Sequence, residues 1–141
     1  MMTTNPNAVK SRQVKIIVFA GAAFLYWLSL YLYVPTLPVY LKTYTPDLAL
    51  IGTVLSMYGL WQALVRLPLG IVSDWLGQRK PFIISGFLFA ALGAVLMAVS
   101  ENIIGIGIGR AITGLAAGTW VPLIIIFNSF FPPADAIRAT A

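Results

Sequence analysis

Gly70-Ile71-Val72-Ser73-Asp74-Trp75-Leu76-Gly77-Gln78-Arg79-Lys80 forms the polar break between two long apolar runs. Its composition describes a tight turn joining two helices. Gly70 permits close helix approach and Gly77 supplies a backbone position with few steric limits. Asp74 can accept hydrogen bonds from backbone donors or from an arginine, and Arg79 with Lys80 anchor the turn at one face of a bilayer. A loop that is merely positively charged accounts for Arg79 and Lys80. It leaves the Gly-x3-Asp-x2-Gly spacing unexplained.

Outward from the turn, the preceding run covers residues 48–72 and carries Arg66, and the following run covers 81–99 without a charge. Farther out lie 16–41, also uncharged, and 103–130, which holds Arg110. Each approaches the roughly 20 residues that cross about 30 Å of hydrocarbon. The chain has 141 residues, 60% hydrophobic and 9% charged, against roughly 25% charged in a soluble domain. A soluble core cannot absorb that apolar surface. The expected organisation is a cytoplasmic segment over residues 1–15, a four-helix transmembrane region over 16–131, and a cytoplasmic loop over 132–141 leading to a fifth helix beyond the chain. The first run is too long for a signal-peptide core of about 7–15 residues, so the N-terminal segment reads as retained. Pro35 and Pro38 predict a kink or tilt near the outer end of the first span, because each removes a helical donor.

Lys10, Arg12, Lys15, Arg79, Lys80 and Arg138 fall on one side of the membrane and Lys42 alone on the other, which places both termini in the cytoplasm. Membrane topology therefore explains the net charge of +5, and no nucleic-acid partner is needed. The chain has no Cys and no His, which removes thiol nucleophiles, zinc sites with nitrogen or sulfur ligands, and Ser-His-Asp chemistry. We expect no enzyme, no metal and no cofactor.

Three spans concentrate polar or aromatic groups on one face. Tyr26, Ser29, Tyr33 and Tyr40 share a face of the first, and Tyr58, Gln62 and Arg66 follow at i, i+4 and i+8 on the second. Arg110, Thr113, Ala117 and Asn128 align on the fourth, since about 18 residues make five turns. An aqueous cavity between them is the simplest reason to keep such groups in a membrane. Tyr33, Tyr40 and Trp120 also suit interfacial anchoring, and Arg66 can snorkel to the headgroups. Arg110 lies nearer the midplane, where an isolated arginine costs about 2.5–3.5 kcal/mol on the insertion scale. A functional role, or a partner carbonyl or carboxylate, follows. Asp47, Asp74, Glu101 and Asp135 all fall in loops or at helix ends, so no carboxylate stands mid-membrane. The third span reads as peripheral, with Gly86, Ala90, Ala94 and Ala98 forming one small face.

The turn resembles the signature loop of the major facilitator superfamily, Gly-x-Leu-Ala-Asp-Arg-x-Gly-Arg-Arg-Lys, at Gly70, Asp74, Gly77, Arg79 and Lys80. Trp75 and Gln78 stand where that family usually has basic residues. Arg110-Ala-Ile-Thr113-Gly114-Leu-Ala-Ala-Gly118 is similar to the family's Arg-x-x-Gln-Gly-x-Gly-Ala-Ala motif, and Pro35-Thr-Leu-Pro38 to the Pro-x-x-Pro of many drug:proton antiporters. Gly114 and Gly118 would equally serve as a Gly-x3-Gly packing face.

The resemblance implies an all-α membrane protein whose four transmembrane helices form part of the N-terminal six-helix bundle of a major facilitator fold, with the missing C-terminal part supplying the rest. It implies a proton-coupled exporter of small molecules working by alternating access in the plasma (inner) membrane. The conformational-switch loop would be Gly70, Asp74, Gly77, Arg79 and Lys80. Candidates for substrate binding or proton coupling are Arg110, Thr113 and Gly114, with Tyr26, Tyr33, Tyr58, Gln62 and Arg66 from the other stripes. Tyr26, Trp27, Tyr58 and Trp61 would suit an apolar or cationic substrate and suit helix packing equally. A solute importer of the same superfamily, a dimerising four-helix transporter, and a non-transporting membrane protein or truncated remnant are the alternatives.

Overall fold

The structure is a computed structural model that describes residues 6–131; the expected loop over 132–141 lies outside the described residues. The order is α1 (Pro6–Tyr31), α2 (Leu37–Leu41), α3 (Leu48–Leu76), α4 (Lys80–Val99), α5 (Ile103–Gly118) and α6 (Trp120–Asn128), with no strand among the described residues. Among the described residues, four segments are long and apolar enough to cross a membrane: Gln13–Tyr31, Leu48–Leu76, Lys80–Val99 and Ile103–Asn128, the last comprising α5 and α6. The molecule is all-α.

Local chemistry explains where the helices stop. Pro35 has no N–H to offer the Tyr31 carbonyl, so the Val34 N–H takes it in a tighter turn at 3.1 Å and α1 ends. The chain resumes helix two residues later, with Pro38 in the first turn of α2. Asp47 caps α3 by accepting from the Ala49 and Leu50 amides at 2.8 and 3.3 Å. Gly77 closes its far end in the left-handed region, φ +61°, where a side chain would be strained. Pro81 falls in the first turn of α4, and the Asn102 side chain caps α5 through the Gly105 amide at 2.8 Å. Pro122 denies a donor to the Gly118 carbonyl, and the fourth span breaks at Thr119 between α5 and α6.

Helix α5 is the hub, packed most extensively on α4 and α3. Buried residues make up 44% of the most apolar window of the fourth span against 11% in α1. The α4–α5 seam is built from backbone approach: a Cβ on Gly93 would lie 2.8 Å from the Gly109 carbonyl oxygen, and one on Gly109 would lie 2.9 Å from that of Gly93. Helix α1 is attached through rings, Tyr26 to Phe87 at 4.9 Å, Trp27 to Trp120 at 5.0 Å and Phe19 to Phe127 at 5.6 Å.

The buried face of α4 differs from the expected small-residue row. Gly86, Ala90, Gly93 and Met97 are buried, whereas Ala94 and Ala98 are exposed. A strict i+4 row drifts around a helix of 3.6 residues per turn, so a straight contact alternates steps of four and three.

The two ends of the bundle are distinct. Phe19 of α1 stacks on Phe127 of α6, and Ile126 borders the same depression as Gly77–Pro81, so these segments gather at one end with Lys10, Lys15, Arg79 and Lys80. Leu37, Leu41, Ile51, Met97 and Ile106 form an apolar cluster at the other.

Candidate functional site

Arg110 is 4% exposed and lies where α5 meets α3 and the chain just after α1. Its Nη1 donates to the Tyr33 hydroxyl at 3.2 Å and its Nη2 to the Leu55 carbonyl at 3.4 Å. The guanidinium carbon lies 4.7 Å from the ring centroid of Tyr58 and 5.7 Å from that of Tyr33. Arg110 Nε has no hydrogen-bond partner. No carboxylate pairs with the guanidinium, the one ion pair among the described residues being Arg79 with Asp74. A buried cation is therefore held by two aromatic faces, one hydroxyl and one main-chain oxygen.

Glycine makes the arrangement possible. A Cβ on Gly114, one turn beyond Arg110, would come within 3.0 Å of the Tyr58 Cα and closer still to its carbonyl oxygen. The missing side chain lets the α3 backbone press against α5 at Tyr58, which brings the Tyr58 ring to Arg110. Thr113 is 1% exposed and bonds back to the Arg110 carbonyl at 2.9 Å. Its methyl and backbone face Gly93 of α4.

A second polar cluster lies at the break in the fourth span. The buried Tyr26 hydroxyl donates to the Ala116 carbonyl and lies 3.4 Å from Thr119 Oγ1. That carbonyl also receives Thr119 Oγ1 at 2.7 Å and the Thr119 amide at 3.0 Å. Three donors thus converge on the Ala116 carbonyl at the break, which keeps the Tyr26 and Thr119 hydroxyls paired away from lipid.

At the basic end, Arg79 Nη2 pairs with Asp74 Oδ1 at 3.2 Å across the turn, and the side chains are 38% and 60% exposed. Gly70 is in ordinary contact, since a Cβ there would lie 3.8 Å from Val121. The approach expected of Gly70 is made instead by Gly114, Gly93 and Gly109.

Of the candidate residues, Tyr33, Tyr58, Arg110 and Gly114 meet in one cluster, whereas the Thr113 side chain turns to Gly93 of α4 and touches only the Arg110 main chain. Tyr26 is buried at the Thr119 break. Gln62 is half-buried and Arg66 exposed, farther along α3. Around Arg110 the space is filled, because the guanidinium is 4% exposed and packs on the Tyr33 and Tyr58 rings. The break at Thr119 also interrupts the register that aligned Asn128 with Arg110. The partner carbonyl expected for Arg110 is that of Leu55, which sequence reasoning could not single out because a main-chain acceptor leaves no composition signal. Sequence reasoning missed Thr119, although Pro122 three residues on was a legible sign of a broken helix.

The chain matches the Major Facilitator Superfamily family model over residues 19–141. It is 40% identical over 91 residues to the inner membrane transport protein YajR of Escherichia coli, covering 64% of this chain and 20% of that protein. The uncharacterized MFS-type transporter YwfA of Bacillus subtilis is 31% identical over 88 residues, 62% of this chain and 21% of the relative. The tetracycline resistance protein, class H, of Pasteurella multocida is 33% identical over 110 residues, 76% of this chain and 27% of the relative. The chain spans about a fifth of the length of the first two of these relatives. No solved structure is a significant match. A family match covering most of a chain whose described residues hold four membrane-length helices leads to one assignment: this is an integral, multi-pass membrane protein of the major facilitator superfamily.

Proposed function

We propose that this chain forms part of one half of a secondary transporter that exports small organic molecules by alternating access, driven by the inward flow of protons down their gradient. The observation that carries the reading is Arg110, a buried charge tied to three segments and held by neutral groups among the described residues. A cation so placed keeps its charge for an anionic complement, either substrate or a titrating carboxylate in the rest of the protein. The names of the relatives supply the transport class, and the tetracycline resistance protein supports the outward direction. Asp74 and Arg79 are exposed enough to meet a helix of the opposite half, which suits a latch for one of the two alternating states.

Orientation follows from charge. The end carrying Lys10, Lys15, Arg79 and Lys80 faces the cytoplasm, in the plasma (inner) membrane, with the N-terminus inside.

The test is efflux from cells expressing the protein, with tetracycline and a fluorescent lipophilic cation as probes. Arg110→Ala is expected to lower efflux at least about tenfold while the protein still reaches the membrane. Efflux equal to that of the unaltered protein would remove Arg110 from the mechanism.

A further inference from the structure

We infer that Tyr58 is a positioning residue for Arg110 and not a substrate contact. The inference rests on the transport role proposed for Arg110. The Tyr58 ring is 8% exposed, so no bound solute reaches its face without displacing the guanidinium. That guanidinium lies 4.7 Å from the ring centroid, nearer than to Tyr33. The position is set by backbone contact, because Gly114 admits the Tyr58 main chain against α5. The Tyr58 hydroxyl takes no hydrogen bond from Arg110, whose donors go to Tyr33 and Leu55, so the ring face and not the oxygen makes the contact. The hydrogen bonds to Tyr33 and Leu55 are 3.2 and 3.4 Å long, and alone they leave the guanidinium free to tilt. The aromatic face stabilises the cation where water is excluded and confines it to one plane.

The assignment separates ring from hydroxyl and coupling from bulk. Tyr58→Phe keeps the face and is expected to retain efflux within about twofold, whereas Tyr58→Leu keeps apolar volume, loses the face and is expected to lose about tenfold. The companion experiment is a double-substitution cycle on the melting temperature of the purified full protein in detergent. Tyr58→Leu should lower it by about 2–4 °C with Arg110 present and by clearly less in an Arg110→Met background. A Phe variant as impaired as the Leu variant, or equal shifts in both backgrounds, would overturn the assignment. If Tyr58→Leu fails to accumulate, Tyr58→Trp takes its place and is expected to keep the coupling to Arg110; loss of that coupling in the Trp variant also overturns it. The transport reading fails separately, by normal efflux in Arg110→Ala, while the melting cycle still reports the contact.

Discussion

Gly114 and Gly59 differ in what a methyl group would meet. At Gly114 it would strike the Tyr58 main chain, which cannot rotate away; at Gly59 it would meet nothing within 4 Å. Gly114→Ala is therefore expected to destabilise the protein by about 1–3 kcal/mol, and Gly59→Ala to leave it within about 1 kcal/mol or stabilise it. Thermal melting in detergent compares them directly, and equal melting temperatures would contradict the backbone contact. Gly77 is constrained by conformation, since its φ of +61° is strained for residues with a Cβ. The Asp74–Arg79 pair is a different case. Both side chains are substantially exposed, and such pairs contribute about 0–1 kcal/mol. Arg79→Ala should thus leave the melting temperature nearly unchanged while altering efflux, if the turn acts as a latch. A large loss of stability would make the pair structural instead.

Among the elements, α5 and α1 are held by different physics. The α5 seams are backbone contacts at glycine, whereas α1 is joined through aromatic rings and the Tyr26 hydroxyl. Rings can slide over one another more easily than interlocked backbones can. Hydrogen exchange in detergent should find the amides of α5 slowest and those of α1 faster, in keeping with their unequal burial. The reverse order would show that the aromatic contacts fix α1 as firmly as the glycine seams fix α5. At the break before α6, Tyr26→Phe removes one donor from an Ala116 carbonyl that keeps two others. The cost should stay near 0.5–1.5 kcal/mol, since no buried group is left unsatisfied.

For the whole molecule, orientation can be read by labelling, and residues 1–141 contribute no cysteine of their own to the background. With the basic end inside, a cysteine replacing Thr45 should react with an impermeant maleimide in intact cells, and one replacing Gln78 only after permeabilisation. The opposite pattern would invert the proposed orientation. The two positions lie at opposite ends of α3, so a single helix separates them.

The four spans, the turn with its left-handed glycine and the breaks at proline were accessible from residue order, because they depend on local chemistry: apolar length, missing donors and allowed backbone angles. Periodicity also grouped Tyr58 with Gln62 and Arg66, and Arg110 with Thr113. It could not tell which stripe would meet which, since a face is a direction on one helix and contact requires two. The row on α4 turned from Ala94 and Ala98 to Gly93 and Met97 for the same reason, as the partner helix α5 selects the residues it touches. Sequence could identify Arg110 as costly in a membrane, whereas tertiary packing supplied the Tyr58 and Tyr33 faces and the Leu55 carbonyl that surround it. Those groups come from segments far apart in the chain, and they converge because glycine at 114 allows two backbones to touch.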